Sequence, residues 1–156
     1  MSNFKDVTAL NLLIGNPLGD VADLDWPKIK IQFDLIKEEF EELEQAVAAK
    51  DFTELRDGAA DILVTTYGLV HMVGIDADSD MREVHSSNMS KFCTSREDAL
   101  ATAQKYEDIG LEVMFRYPND ELIAVVSAKS QDDNSFKYYP KGKLLKSVSF
   151  IEPNLN

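Results

Sequence analysis

Apolar positions recur at helical spacing through the first two thirds of the chain, and in the last third they alternate or run together. Phe4, Val7, Leu10 or Leu12 and Ile14 predict a helix over 4–14, which the turn-rich stretch GNPLGD at 15–20 brings to an end. Trp26-Pro27 opens a second helix running to about Ala49, with Pro27 in the first turn, where a missing N–H costs nothing. Asp51 followed by Glu54 resembles a capping box, so a third helix starts there and continues to about Val73, with Gly74 placed as a C′ glycine. The short link makes helices two and three an antiparallel hairpin. Further helices are predicted over 79–90 and 95–108. Beyond Gly110 the runs LEVMFRYP (111–118), LIAVVSAK (122–129), SFKYY (135–139) and KLLKSVSF (143–150) read as strands, separated by the turn material PND, QDDN and PKG. The expected fold class is mainly α: a helical body over 1–92, then a helix and a small C-terminal antiparallel sheet over 93–156.

On a wheel of residues 27–49, Ile29, Phe33, Ile36, Phe40, Leu43 and Val47 form an apolar stripe. Residues 38–44 hold five glutamates, and these do not all face water. Glu41 and Gln45 fall opposite the stripe, whereas Glu39 lands at its flank beside Leu43 and Gln32, with Glu42 and Glu38 continuing outward. Glu39/Glu42 and Glu38/Glu42 are i,i+3 and i,i+4 pairs, each costing a few tenths of a kcal/mol (~0.2–0.5) in an isolated helix. A cation between them would reverse the sign. In the third helix, AADILVTTYGLVHMV (59–73) is apolar nearly all round and is expected to be buried. Asp61 lies in its middle, with Asp57 one turn earlier and no lysine or arginine on that side. A buried carboxylate is costly unless it is paired or binds a metal. Acids aimed from both arms of one hairpin form a hard, all-oxygen donor set, suited to Mg²⁺ with Mn²⁺ as a substitute. Glu-x-x-His pairs of the di-iron kind are absent.

Composition narrows the classes further. The 156 residues carry a net charge of −12, which argues against a nucleic-acid or anionic-membrane surface. An acidic protein can still take a polyphosphate when divalent cations lie between the two sets of negative charges. Cys93 is the only cysteine, so no intrachain disulfide can form and a reducing compartment is expected. The start MSNFKDVTAL shows no signal-peptide pattern, and 59–73 is too short to span a bilayer. The expectation is a cytoplasmic protein with no membrane partner.

The arrangement E38-E39-x-x-E42, a short link, then D57-x-x-x-D61 resembles the MazG-like, all-α nucleoside triphosphate pyrophosphatases, and in particular their phosphoribosyl-ATP pyrophosphatase-like phage and bacterial branch. The run EVHSSNMSK at 83–91 and the tail GKLLKSVSFIEPNL are similar to that branch as well. The resemblance covers residues 1–92 and extends loosely over the rest. It implies Mg²⁺-dependent cleavage between the α- and β-phosphates, yielding a monophosphate and pyrophosphate. It also implies that Glu39, Glu42 and Asp61 ligate the metal, with Glu38 either a further ligand or the base for the attacking water. Where the family commonly has Glu-x-x-Asp, the position three before Asp61 is Gly58, and Asp57 is the acid nearby. Asn88 and Lys91 are candidate contacts to the phosphate tail or sugar, and the family implies a homo-oligomer, dimer or tetramer. The alternatives are a phosphoribosyl-ATP pyrophosphatase and, from another class, a non-catalytic acidic helical module that binds a basic partner.

Overall fold

The computed structural model describes residues 2–155 and contains five helices and four short strands. The chain divides into two compact units, Met1–Asp80 and Met81–Asn156.

The first unit is built on a hairpin of two long helices. α1 spans Asn3–Leu13, α2 Trp26–Ala49 and α3 Phe52–Val73. Each boundary has a local cause. The Ser2 hydroxyl accepts from the Lys5 amide, and the Asp25 carboxylate caps α2 just ahead of Pro27. The Asp51 carboxylate accepts from the Thr53 and Glu54 amides at 2.9 and 3.2 Å, so the capping residue expected from the sequence is the one used. Gly74 ends α3 with φ +80°. It does more than cap: a side chain there would meet the Gly19 carbonyl at 2.2 Å, and one on Gly19 would meet the Met72 carbonyl at 1.8 Å. Two glycines thus let the α1–α2 loop lie against the end of α3, where the Gly19 amide donates to the His71 carbonyl at 3.0 Å.

The seam between α2 and α3 differs from the expected stripe. Gln32 and Ala46 are buried, and Ile29, Ile36, Glu39 and Leu43 are half-buried, a spacing of three and four that places Glu39 within the seam rather than beside it. Phe33, Phe40 and Val47, assigned to the stripe from the wheel, are exposed at 48%, 53% and 57%. A 24-residue helix rich in apolar side chains offers two stripes, and only packing selects one. Small residues made the selection. Gly58 is buried, and a Cβ there would lie 3.5 Å from Leu43; Gly68 leaves room for Gln32, whose amide donates to the Thr65 carbonyl at 2.9 Å. For the same reason α3 is not buried all round: Ala59 and Ala60 are exposed, as are Leu63 and Val64. α1 packs on α3 through Phe4, Val7 and Asn11, with the Phe4 and Tyr67 rings 5.9 Å apart, while Leu10, Leu12 and Ile14 face outward.

α4 spans Ala77–Met89, beginning two residues before the expected start because the Asp76 carboxylate accepts from the Asp78 and Ser79 amides. The division between the units falls inside this helix. In the second unit α5, Arg96–Glu107, is capped by Ser95. β1 (Val113–Arg116) pairs antiparallel with β2 (Ala124–Ser127), and β3 (Gln131–Asp132) with β4 (Tyr138–Tyr139). β2 is buried along its whole length, at the centre of a core formed with Cys93, Ala99, Ala103, Tyr106, Leu111, Tyr139 and Leu145. Two expected strands are corrected. Residues 135–137 turn around the Asp133 carboxylate instead of extending, with Phe136 at φ +64°. The run 143–150 keeps a single bridge, Leu144 to Val126. After Leu145 the bonds that would extend a ladder go to side chains: the Lys146 amide donates to the Tyr106 hydroxyl and the Val148 amide to Thr102 Oγ1, both at 3.0 Å.

Candidate active site

The carboxylates singled out in the sequence lie on the two arms of the α2–α3 hairpin. Glu38, Glu39 and Glu42 come from the start of α2's C-terminal half, and Asp57 and Asp61 from the N-terminal half of α3. The antiparallel link at Lys50–Asp51 brings these stretches opposite each other. Glu39 and Asp61 are half-buried; Glu38, Glu42 and Asp57 are exposed. Asp61 is therefore not sealed from solvent, contrary to the expectation from a helix apolar all round, because the small residues Gly58, Ala59 and Ala60 leave its end of α3 open.

Electrostatics ties the group together. Burial in the seam is the largest cause pushing the Glu39 carboxyl above the ordinary glutamate range, followed by the charges of Asp61, Glu42, Glu38 and Asp57. All four other predicted carboxylates thus act on Glu39. Among the described residues none of the five is paired with a lysine or arginine; the ion pairs of the first unit join Lys28 to Asp25 and Lys30 to Asp34. Glu42 also lines an acidic groove with Asp51 and Glu54 toward the hairpin link.

The donor set fits a hard divalent cation in chemistry: carboxylate oxygens only, on two facing helices, with excess negative charge and no competing base. Among the described residues no three acidic, histidine or cysteine groups are already drawn together into a cage. The raised Glu39 carboxyl shows the same state from the other side, since like charges are being held near one another without compensation. Gly58 explains itself here. It faces the Leu43 backbone across the seam, so an acid at that position would stand in the helix crossing.

Asn88 and Lys91 belong to the second unit and to each other: Lys91 Nζ donates to Asn88 Oδ1 at 2.6 Å. The run around them also has a structural role that the sequence did not announce. Ser87 Oγ donates to the Ile151 carbonyl at 2.8 Å, Ser90 Oγ accepts from the Ile151 amide at 2.9 Å, and the Ser90 carbonyl receives Ser147 Oγ. The serines of SSNMSK therefore clasp the tail SVSFI, binding together two of the segments on which the resemblance rested. Reasoning from sequence also missed His71 and Gln32. His71 is fully buried and its Nε2–H donates to the Asn16 carbonyl at 3.0 Å, fixing the loop between α1 and α2.

A helical hairpin with uncompensated carboxylates on both arms is the frame of an all-α nucleoside triphosphate pyrophosphatase-like fold. Residues 26–88, which include all five carboxylates and Asn88, match the family of phosphoribosyl-ATP pyrophosphohydrolase, a family of the MazG-like all-α NTP pyrophosphatase branch. The family is one of pyrophosphohydrolases, hydrolases acting on phosphoric anhydrides. The chain is also 30% identical over 130 residues, 82% of its length, to an uncharacterized protein of Acanthamoeba polyphaga mimivirus, and it spans about half (49%) of that relative.

Proposed function

We propose that this chain is a divalent-cation-dependent nucleoside triphosphate pyrophosphohydrolase that cleaves between the α- and β-phosphates. The observation that carries the reading is that five carboxylates face one another from the two arms of the α2–α3 hairpin, none paired with a lysine or arginine among the described residues, inside the segment matched to a pyrophosphohydrolase family. Glu39, Glu42 and Asp61 would hold Mg²⁺, or Mn²⁺ in its place, with Asp57 and Glu38 at the edge of the set. When bound, such a cation neutralises phosphate charge and lowers the pKa of water. Glu38, exposed and unpaired among the described residues, is suited to accept the proton that water gives up on attack, or to serve as a further ligand. Phosphoryl chemistry asks little else of the protein beyond positioning. Purine deoxynucleoside triphosphates are the first substrates to try. The family's description also favours a second reading, phosphoribosyl-ATP as substrate.

The test is pyrophosphate release with Mg²⁺ from a panel of ribo- and deoxynucleoside triphosphates and phosphoribosyl-ATP, with Glu39→Gln, Asp61→Asn and EDTA controls. Monophosphate and pyrophosphate formed in equal amounts, and lost in each control, is the expected result. Silence across the panel from folded protein would favour the acidic binding module instead.

A further inference from the structure

Basic side chains are distributed unevenly. Residues 1–80 contain 17 acidic and 6 basic residues, residues 81–156 contain 11 and 10. Four of those ten, Lys91, Lys137, Lys143 and Lys146, line one partly open cavity of ≈ 160 Å³ in the second unit, and no carboxylate lines it. They arrive from three separate places: the turn after α4, the approach to β4, and the segment beside β2. Three of the four lie within residues 137–146, and Lys91 joins them from 46 residues before Lys137.

The cavity has a fixed floor. Tyr139 and Leu145 are buried core residues, and the Tyr106 and Tyr139 rings meet edge to face at 6.4 Å. The Tyr106 hydroxyl donates to the Lys146 carbonyl at 3.2 Å and accepts from the Lys146 amide at 3.0 Å, which holds the backbone carrying two of the lysines. Above this floor only Lys146 has a carboxylate partner, Glu152 at 2.7 Å. Lys137 and Lys143 lie over the Tyr139 ring at 5.4 and 5.0 Å, and Lys91 is turned to the neutral Asn88. Among the described residues these three ammoniums meet no carboxylate. Exposed cation–π contacts return little, and the ammoniums repel one another across the cavity. A compact polyanion turns that repulsion into attraction. Lysine binds phosphate as a point charge, and several converging ammoniums match a chain of phosphates better than a single carboxylate does. An extended nucleic acid would instead need a groove along which to run.

We propose that this cavity is a metal-independent binding site for a di- or triphosphate group. The proposal deepens the function above in one respect, since Lys91 is a candidate contact to the substrate's phosphate tail or sugar, but it requires neither cation nor turnover. The phosphate group can be the tail of a nucleotide or a free inorganic oligophosphate. The experiment is calorimetric titration of the full chain with sodium tripolyphosphate in EDTA, where the acidic hairpin has no cation with which to hold phosphate. Saturable binding is expected. It should persist in Glu39→Gln and in Lys143→Arg, and weaken about tenfold or more in a Lys137→Glu/Lys143→Glu double variant of unchanged melting temperature. No binding, or binding indifferent to the double variant, overturns the proposal whether or not the chain hydrolyses nucleotides. With binding established, a raised KM for nucleotide in the double variant identifies the substrate's tail as the ligand. Loss only of inhibition by added tripolyphosphate identifies a free anion.

Discussion

Glu39 stands in a helix seam where most proteins would put a leucine, and its cost should be measurable. Its carboxyl keeps its proton to higher pH in the folded chain than in the unfolded one. Folding therefore becomes less favourable as pH rises from the ordinary glutamate value through the raised one, and the penalty is complete above it. Glu39→Gln should melt above the parent at pH 7 in EDTA, with the difference closing in acid below the ordinary glutamate value. In saturating Mg²⁺ the order should reverse, since only the parent gains a cation bound by the folded state. Thermal melts in the two buffers check both halves. Asp133 behaves in the opposite sense. The Lys137 amide and the Ser135 hydroxyl and amide hold its carboxyl below the ordinary aspartate range. Its contribution is present above that range and is lost as pH falls through the lowered value, so Asp133→Asn should lower the melting temperature at pH 7 and converge with the parent in strong acid. Neither residue's environment was legible in full. Glu39 was seen as unusual because it departs from the wheel; Asp133 was read within the turn QDDN, but the continuation of that turn through 135–137 was read as strand because SFKYY has strand composition.

At the scale of elements, caps and turns were legible because their chemistry is local. Asp51, Pro27 and Gly74 act where the sequence put them, since a capping bond or a left-handed φ depends on a few neighbouring residues. Choice of face was not local. α2 carries two apolar stripes, and the one that packs is chosen by Gly58 and Gly68 on the opposite helix. The same dependence makes Gly19 a sharp test. An added methyl would lie 1.8 Å from the Met72 carbonyl, so Gly19→Ala must displace the α1–α2 loop. The expected loss is about 3 kcal/mol or more, read from the denaturation midpoint, whereas Gly15→Ala, with nothing within 4 Å, is limited to the strain of its φ of +88°. Strand 143–150 failed for a related reason: Tyr106 and Thr102, distant in sequence, offered its backbone amides partners in place of a ladder.

For the whole molecule, the exposed stripe of Phe33, Phe40 and Val47, with Leu63 and Val64 on α3, is more apolar surface than a solvated helix pair needs. We propose that it is covered by further copies of this chain, as a dimer or tetramer. Light scattering at micromolar concentration should give a mass above the 17.5 kDa of one chain, and Phe40→Glu should shift it toward that value. A parent that remains at the one-chain mass on dilution and concentration alike would remove the idea. Helices α2 to α4, which contain the matched segment, explain why the likeness to the family was readable from so few residues: the carboxylate spacing depends only on helical periodicity and a short link.

What the sequence determined by itself was the helical body, its caps, the hairpin and the pooling of acids on it, because each follows from spacing along one element or across one tight link. Tertiary structure decided which apolar stripe is buried, that Glu39 lies within the seam, that the serines of SSNMSK clasp the tail, and that four scattered lysines share one cavity. These depend on which side chains meet across long stretches of chain, and packing settles that only when every neighbour is in place.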